Sequence, residues 1–124
     1  MRDNPTLTLS RAEMEDIGGQ VMEMVINHFE NNGIQAVANP TDPEMLKKWL
    51  AEPPPEKAIA VQDVLHEFKT KALETMTHLD HPRCFAFVPS PNNFVSALAE
   101  FMASSFNIFA GAWLGPSGVA AIEM

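Results

Sequence analysis

From residue 84 onward the chain almost ceases to carry charge. Only Glu100 and Glu123 are ionised there, while Phe85, Phe87, Val88, Phe94, Leu98, Phe101, Phe106, Phe109 and Trp113 crowd the same interval. A segment of that composition is expected to be buried. It opens on the densest aromatic and proline chemistry in the chain, His81-Pro82-Arg83-Cys84-Phe85-Ala86-Phe87-Val88-Pro89-Ser90-Pro91-Asn92-Asn93. That run separates a charged half from a nearly uncharged one, and whatever function is encoded is expected to meet it.

At 124 residues the chain has room for one domain, or part of one, with a modest core. Eight Lys and Arg are scattered among sixteen Asp and Glu, a net charge of −8, which argues against a nucleic-acid partner because phosphate binding needs a basic face. Cys84 is the only cysteine, so no internal disulfide forms, and Met1-Arg2-Asp3-Asn4-Pro5 lacks the apolar core of a secretory signal. A reducing, cytoplasmic setting is expected. Residues 94–114 reach the length of a membrane span, but Ser96, Glu100, Ser104, Ser105 and Asn107 interrupt them, so they read as a buried helix plus loop.

Helix signals follow in order. Ser10 and Glu13 have capping-box spacing, and Met14, Ile17, Val21, Met24, Val25 and His28 recur at helical steps, predicting a helix over about 11–32 that Asn32-Gly33 ends with a left-handed residue. Thr41-Asp42-Pro43-Glu44 caps a short second helix through Met45, Leu46, Trp49 and Leu50. Glu52-Pro53-Pro54-Pro55-Glu56 is an extended spacer. A third helix is predicted over about 59–78, ending near Asp80 because the residue before Pro82 is biased out of helical geometry. Residues 84–88 read as extended, Asn92 or Asn93 as the cap of a fourth helix, and Ser117 as the cap of one more. That last helix offers about two turns, with no closing glycine, basic turn or polar tail, and reads as unfinished.

No catalytic constellation is self-sufficient. His78, His81 and Cys84, with Asp80 or His66, are spaced like zinc ligands, but Pro82 breaks the geometry and helix-end histidines near the carbonyl pole describe them better; no metal site is expected. Cys84 as a nucleophile lacks a placed third group, Ser90 has no serine-nucleophile motif, and no glycine-rich phosphate loop is present. Met14, Met22 and Met24 suit either core or an adaptable partner surface. The total favours a partner, since four apolar helix faces plus an uncharged C-terminal third exceed what so short a chain can hide by itself.

The run from His81 to Pro91, continuing through Ser96-Ala97-Leu98-Ala99-Glu100, Phe109-Ala110-Gly111-Ala112-Trp113-Leu114 and Ala120-Ala121-Ile122-Glu123, resembles the pyridoxal-phosphate-dependent group II amino-acid decarboxylases, closest to the aromatic-amino-acid branch. The likeness covers essentially the whole chain, and His-Pro-Arg-x-Phe-Ala-Phe-x-Pro is its most specific part. The resemblance implies the N-terminal portion of an α/β, fold-type I homodimer, this portion mostly α-helical with one short extended segment. Residues 1–80 would clasp the second subunit, and 81–124 would begin the large cofactor domain.

By the same resemblance, Leu79, Phe87, Val88, Pro89 and Ser90 would line the substrate pocket, with Phe109 and Gly111 reaching the pocket of the neighbouring subunit. An apolar, aromatic wall with one hydroxyl suits an aromatic or apolar amino-acid side chain and excludes water. The residues that bind pyridoxal 5'-phosphate, including the Schiff-base lysine, would lie beyond this chain, leaving no catalytic residue within it. None of Lys47, Lys48, Lys57, Lys69 or Lys71 fits that role. The chain departs from the family at Cys84, Val88 and Leu79, where the family often has aromatic residues. The implied activity is release of carbon dioxide and an amine, in company with the remainder of the decarboxylase; the alternative is a non-catalytic helical interaction module.

Overall fold

The structure, a computed structural model, describes residues 8–109, 115 and 117–123. They group into two units, Met1–Pro89 and Ser90–Met124.

In the first unit, helix α1 spans Arg11–Asn31 and begins as its sequence dictates. The Glu13 amide donates to Ser10 Oγ at 3.3 Å while the Ser10 amide donates to Glu13 Oε2 at 2.7 Å, so each side chain satisfies one free donor of the first turn. Arg11 and Glu15 add an i,i+4 pair at 2.7 Å. The other end differs from expectation. No described glycine has positive φ, and Asn32 closes the helix in right-handed geometry at φ −52°. What holds the end is tertiary. The Asn32 amide donates to Asp80, 48 residues away, and a Cβ on Gly33 would lie 4.0 Å from Pro82.

Helix α2, Pro43–Leu50, has the predicted start, with Asp42 accepting from the Glu44 amide at 3.1 Å and Pro43 in the first turn. Helix α3, Val61–Phe68, packs on α1, where Gln62 donates to Asp16 at 3.3 Å. It continues as a π-helical turn over Lys69–Leu73 and stops there, well short of residue 78. The hydroxyls of Thr70 and Thr75 donate back to the carbonyls of His66 (3.0 Å) and Lys71 (2.7 Å), competing with the ladder that would extend the helix. Thr77 then pairs with Ala38 in an isolated antiparallel bridge, and the His78 amide donates to the Val37 carbonyl at 2.8 Å. No strand forms among the described residues.

Lys71 ties this unit together. Its Nζ lies 2.5 Å from Glu52 Oε2, pairs also with Glu67, and stands 5.9 Å from the centre of the Trp49 ring. Glu52 first, and Glu67 second, hold the amine above its ordinary value of 10.5. Because the folded value exceeds the unfolded one, this contact stabilises fully below pH 10.5 and is lost as the pH rises through the folded value. Lys71→Met should therefore be the weaker protein below that pH, and its denaturation midpoint should fall less steeply above it than that of the unaltered chain.

The second unit contains α4, Phe94–Phe106, and α5, Ser117–Glu123. Asn93 caps α4 reciprocally with Ser96, the Ser96 amide donating to Asn93 Oδ1 at 2.9 Å and the Asn93 amide to Ser96 Oγ at 3.1 Å. Asn107 ends α4 in the left-handed region, φ 48°, a conformation its short polar side chain tolerates. Ser117 is the first residue of α5 instead of the residue before it.

No hydrophobic residue is buried among those described. Phe85, Phe101, Phe106 and Phe109 are all exposed, so the expectation that the chain hides its uncharged segment is overturned for the chain by itself. The second expectation holds: the apolar surface exceeds what these helices can cover.

Candidate substrate-pocket segment

Residues 77–90 leave the third helix and lead towards α4, and polar anchors hold their first half. Asp80 is the centre. His28 Nε2 lies 2.6 Å from its Oδ2, and Asn32 Nδ2 donates to its backbone carbonyl at 2.9 Å and to Oδ2 at 3.2 Å. A carboxylate only accepts, so His28 Nε2 carries the hydrogen in this pair. The His28 ring also stacks on His78, with centroids 5.9 Å apart.

His78 and His81 are the two buried polar residues among those described, 5% and 3% exposed. The His81 amide donates to the His78 carbonyl at 3.1 Å and the Cys84 amide to the His81 carbonyl at 2.8 Å, folding the chain tightly around Pro82. The Arg83 amide donates to His81 Nδ1 at 3.0 Å, which makes Nδ1 an acceptor and places the ring hydrogen on Nε2. His81 Nε2, His78 Nδ1, Asn32 Oδ1 and Gln35 Nε2 are buried without a hydrogen-bond partner among the described residues.

Between these anchors Leu79 faces outward, 41% exposed, while its neighbours on both sides are fixed. The second half of the segment is not extended throughout. It bends at Ala86 and Phe87, and Phe87 has φ 63°, left-handed geometry that costs a residue with a Cβ roughly 1–2 kcal/mol. The turn leaves the Phe87 ring 80% exposed and Val88 fully so, with Pro89 and Ser90 exposed after them. Phe109 is exposed after α4; Gly111 lies outside the described residues. Sequence reasoning missed the His28–Asp80–Asn32 anchor. The available signal was His28 standing in the apolar stripe of α1, since a polar ring there needs a partner.

Chemically the segment offers exposed apolar side chains and one hydroxyl. No group of three His, Cys, Asp or Glu converges as a metal site among the described residues. Neither Lys71 nor Lys47 is placed to hold pyridoxal phosphate. The Lys71 amine is kept charged between two carboxylates, the opposite of what a Schiff base needs, and Lys47 pairs with Glu44 at 2.7 Å. At the starts of α1, α2 and α4 the side chains of Ser10, Asp42 and Asn93 each already take one free backbone donor, and α3 carries Asp63 in its first turn. No described helix is long and apolar enough to cross a membrane.

Comparison with known proteins places similarity along nearly the whole chain. It is 36% identical over 118 residues to the aromatic-L-amino-acid decarboxylase of Bacillus atrophaeus, covering 95% of this chain and 25% of that protein. Tyrosine/DOPA decarboxylase 1 of Papaver somniferum is 24% identical over 106 residues, covering 86% of this chain and 20% of that protein. Tryptophan decarboxylase 2 of Oryza sativa subsp. japonica is 20% identical over 112 residues, covering 90% and 22%. The chain thus spans a fifth to a quarter of the length of these curated relatives. No family model matches it.

Proposed function

We propose, for a chain that belongs by sequence with the aromatic-L-amino-acid and tyrosine decarboxylases, that it is the N-terminal part of a pyridoxal-phosphate-dependent L-amino-acid decarboxylase acting on an aromatic or apolar amino acid. The observation that carries this reading is the 36% identity to a decarboxylase along 95% of the chain. The absence of any buried hydrophobic residue among those described supports it, because such a surface requires the rest of a larger protein to cover it.

In this reading the parent is an α/β fold-type I homodimer, residues 1–80 clasp the second subunit and 81–124 begin the large domain. The cofactor and the lysine that holds it belong to the remaining polypeptide. Leu79, Phe87, Val88, Pro89 and Ser90 form one wall of the substrate pocket, and Phe109 and Gly111 reach the neighbouring one. Their work is to bind an apolar side chain, orient the amino acid and keep water from the reacting carbon.

The test is release of carbon dioxide from phenylalanine, tyrosine, tryptophan and leucine by the native protein that contains this chain, supplied with pyridoxal phosphate. Amine and carbon dioxide formed in equal amounts from at least one of them are expected. Binding of the cofactor with no carbon dioxide from any amino acid would overturn the reading.

A further inference from the structure

The pocket wall proposed above includes Leu79, and the structure holds Leu79 by an anchor that none of the pocket residues supplies. Its preceding residue is fixed through the His78 amide on Val37 and by burial of the His78 ring. Its following residue is fixed through Asp80, which receives His28 on its carboxylate and Asn32 on both carboxylate and carbonyl. Both donors come from the last turn and the cap of α1, about fifty residues away in sequence, and the next residue, Gly33, lies beside Pro82. Leu79 itself has no such restraint, being half-exposed between two fixed neighbours.

We infer that His28 and Asn32 are positioning residues for substrate selection: by clamping Asp80 they set how far the Leu79 side chain projects, and so which amino-acid side chain the pocket accepts. The inference rests on the function proposed above. A buried methylene gained or lost in an apolar pocket changes discrimination steeply, so a small shift of Leu79 is enough to be read in selectivity. His28 and Asn32 need never meet the substrate. His78 stacks on His28, and His81 Nδ1 accepts from the Arg83 amide.

The test uses the native decarboxylase with His28→Ala, Asn32→Ala and His28→Gln, the last keeping a nitrogen that can donate to Asp80. Asn31→Ala is the control, because Asn31 sits on the same helix end but donates to Asn27 and not to Asp80. The readout is the ratio of kcat/KM for the best over the second-best substrate among phenylalanine, tyrosine, tryptophan and leucine. The two alanine variants should change that ratio roughly tenfold, while His28→Gln and the control stay within about twofold of the unaltered enzyme. Should the alanine variants fail to fold, Asp80→Asn carries the test, weakening the clamp while keeping an acceptor, and a shift in the same direction is expected. An unchanged ratio with carbon dioxide still released would overturn the positioning role alone. No release by the unaltered enzyme would overturn the proposed function, and this inference with it.

Discussion

Asp80→Ala is expected to cost about 2–3 kcal/mol of unfolding free energy, because the carboxylate takes charge-assisted hydrogen bonds from two side chains at a partly covered site. Its side chain is 22% exposed and that of its His28 partner 34%, so neither is screened as a surface pair would be. Truncation leaves the His28 Nε2 hydrogen without its acceptor, the larger part of the cost, while Asn32 loses its carboxylate bond and keeps the one to the residue-80 carbonyl. Asp80→Asn keeps one acceptor oxygen and should cost about half as much. Denaturant unfolding of the native protein measures both. Equal losses in the two variants, or none in either, would mean that the His28 and Asn32 contacts do not stabilise the end of α1.

Phe87→Gly should separate stability from activity. Removing the Cβ relieves left-handed strain of roughly 1–2 kcal/mol, and the added freedom of glycine in the unfolded chain returns about 0.5–1 kcal/mol, so stability should hold or rise by up to about 1.5 kcal/mol. The ring contributes little to the stability of this chain because it is 80% exposed. In the proposed pocket its loss should remove about 2 kcal/mol of apolar contact with the substrate, roughly thirtyfold in kcat/KM. Phe87→Ala loses the same contact yet keeps the strained backbone. It should match the glycine variant in activity and fall below it in stability. Full activity in both variants would take Phe87 out of the pocket.

Local grammar was the legible part of this fold. Ser10 with Glu13, Asp42 before Pro43, and Asn93 each start a helix at the predicted place, because capping depends only on residues two or three apart. Helix ends were less legible. The apolar stripe of the third helix runs on past Leu73, but the Thr70 and Thr75 hydroxyls and the pairing of Thr77 with Ala38 compete for its backbone. Asn32-Gly33 reads as a glycine stop, yet Asp80 supplies the fixing from far away in sequence. Nothing in a phenylalanine announces positive φ, so the bend at Phe87 had no signal at all. The pocket residues were named from family resemblance, and only the exposure of Leu79, Phe87, Val88 and Ser90, apolar except for one hydroxyl, is visible in the chain's own physics.

The central claim is that this chain works as one part of a pyridoxal-phosphate enzyme whose remainder covers its apolar surface. Isolation under native conditions, with size and visible absorption recorded on the same sample, tests it most directly. The account predicts that the chain is found within or bound to a polypeptide several times its length, and that the sample carries the absorbance of a bound pyridoxal cofactor. A lone, folded, colourless monomer with no affinity for hydrophobic dyes would contradict it.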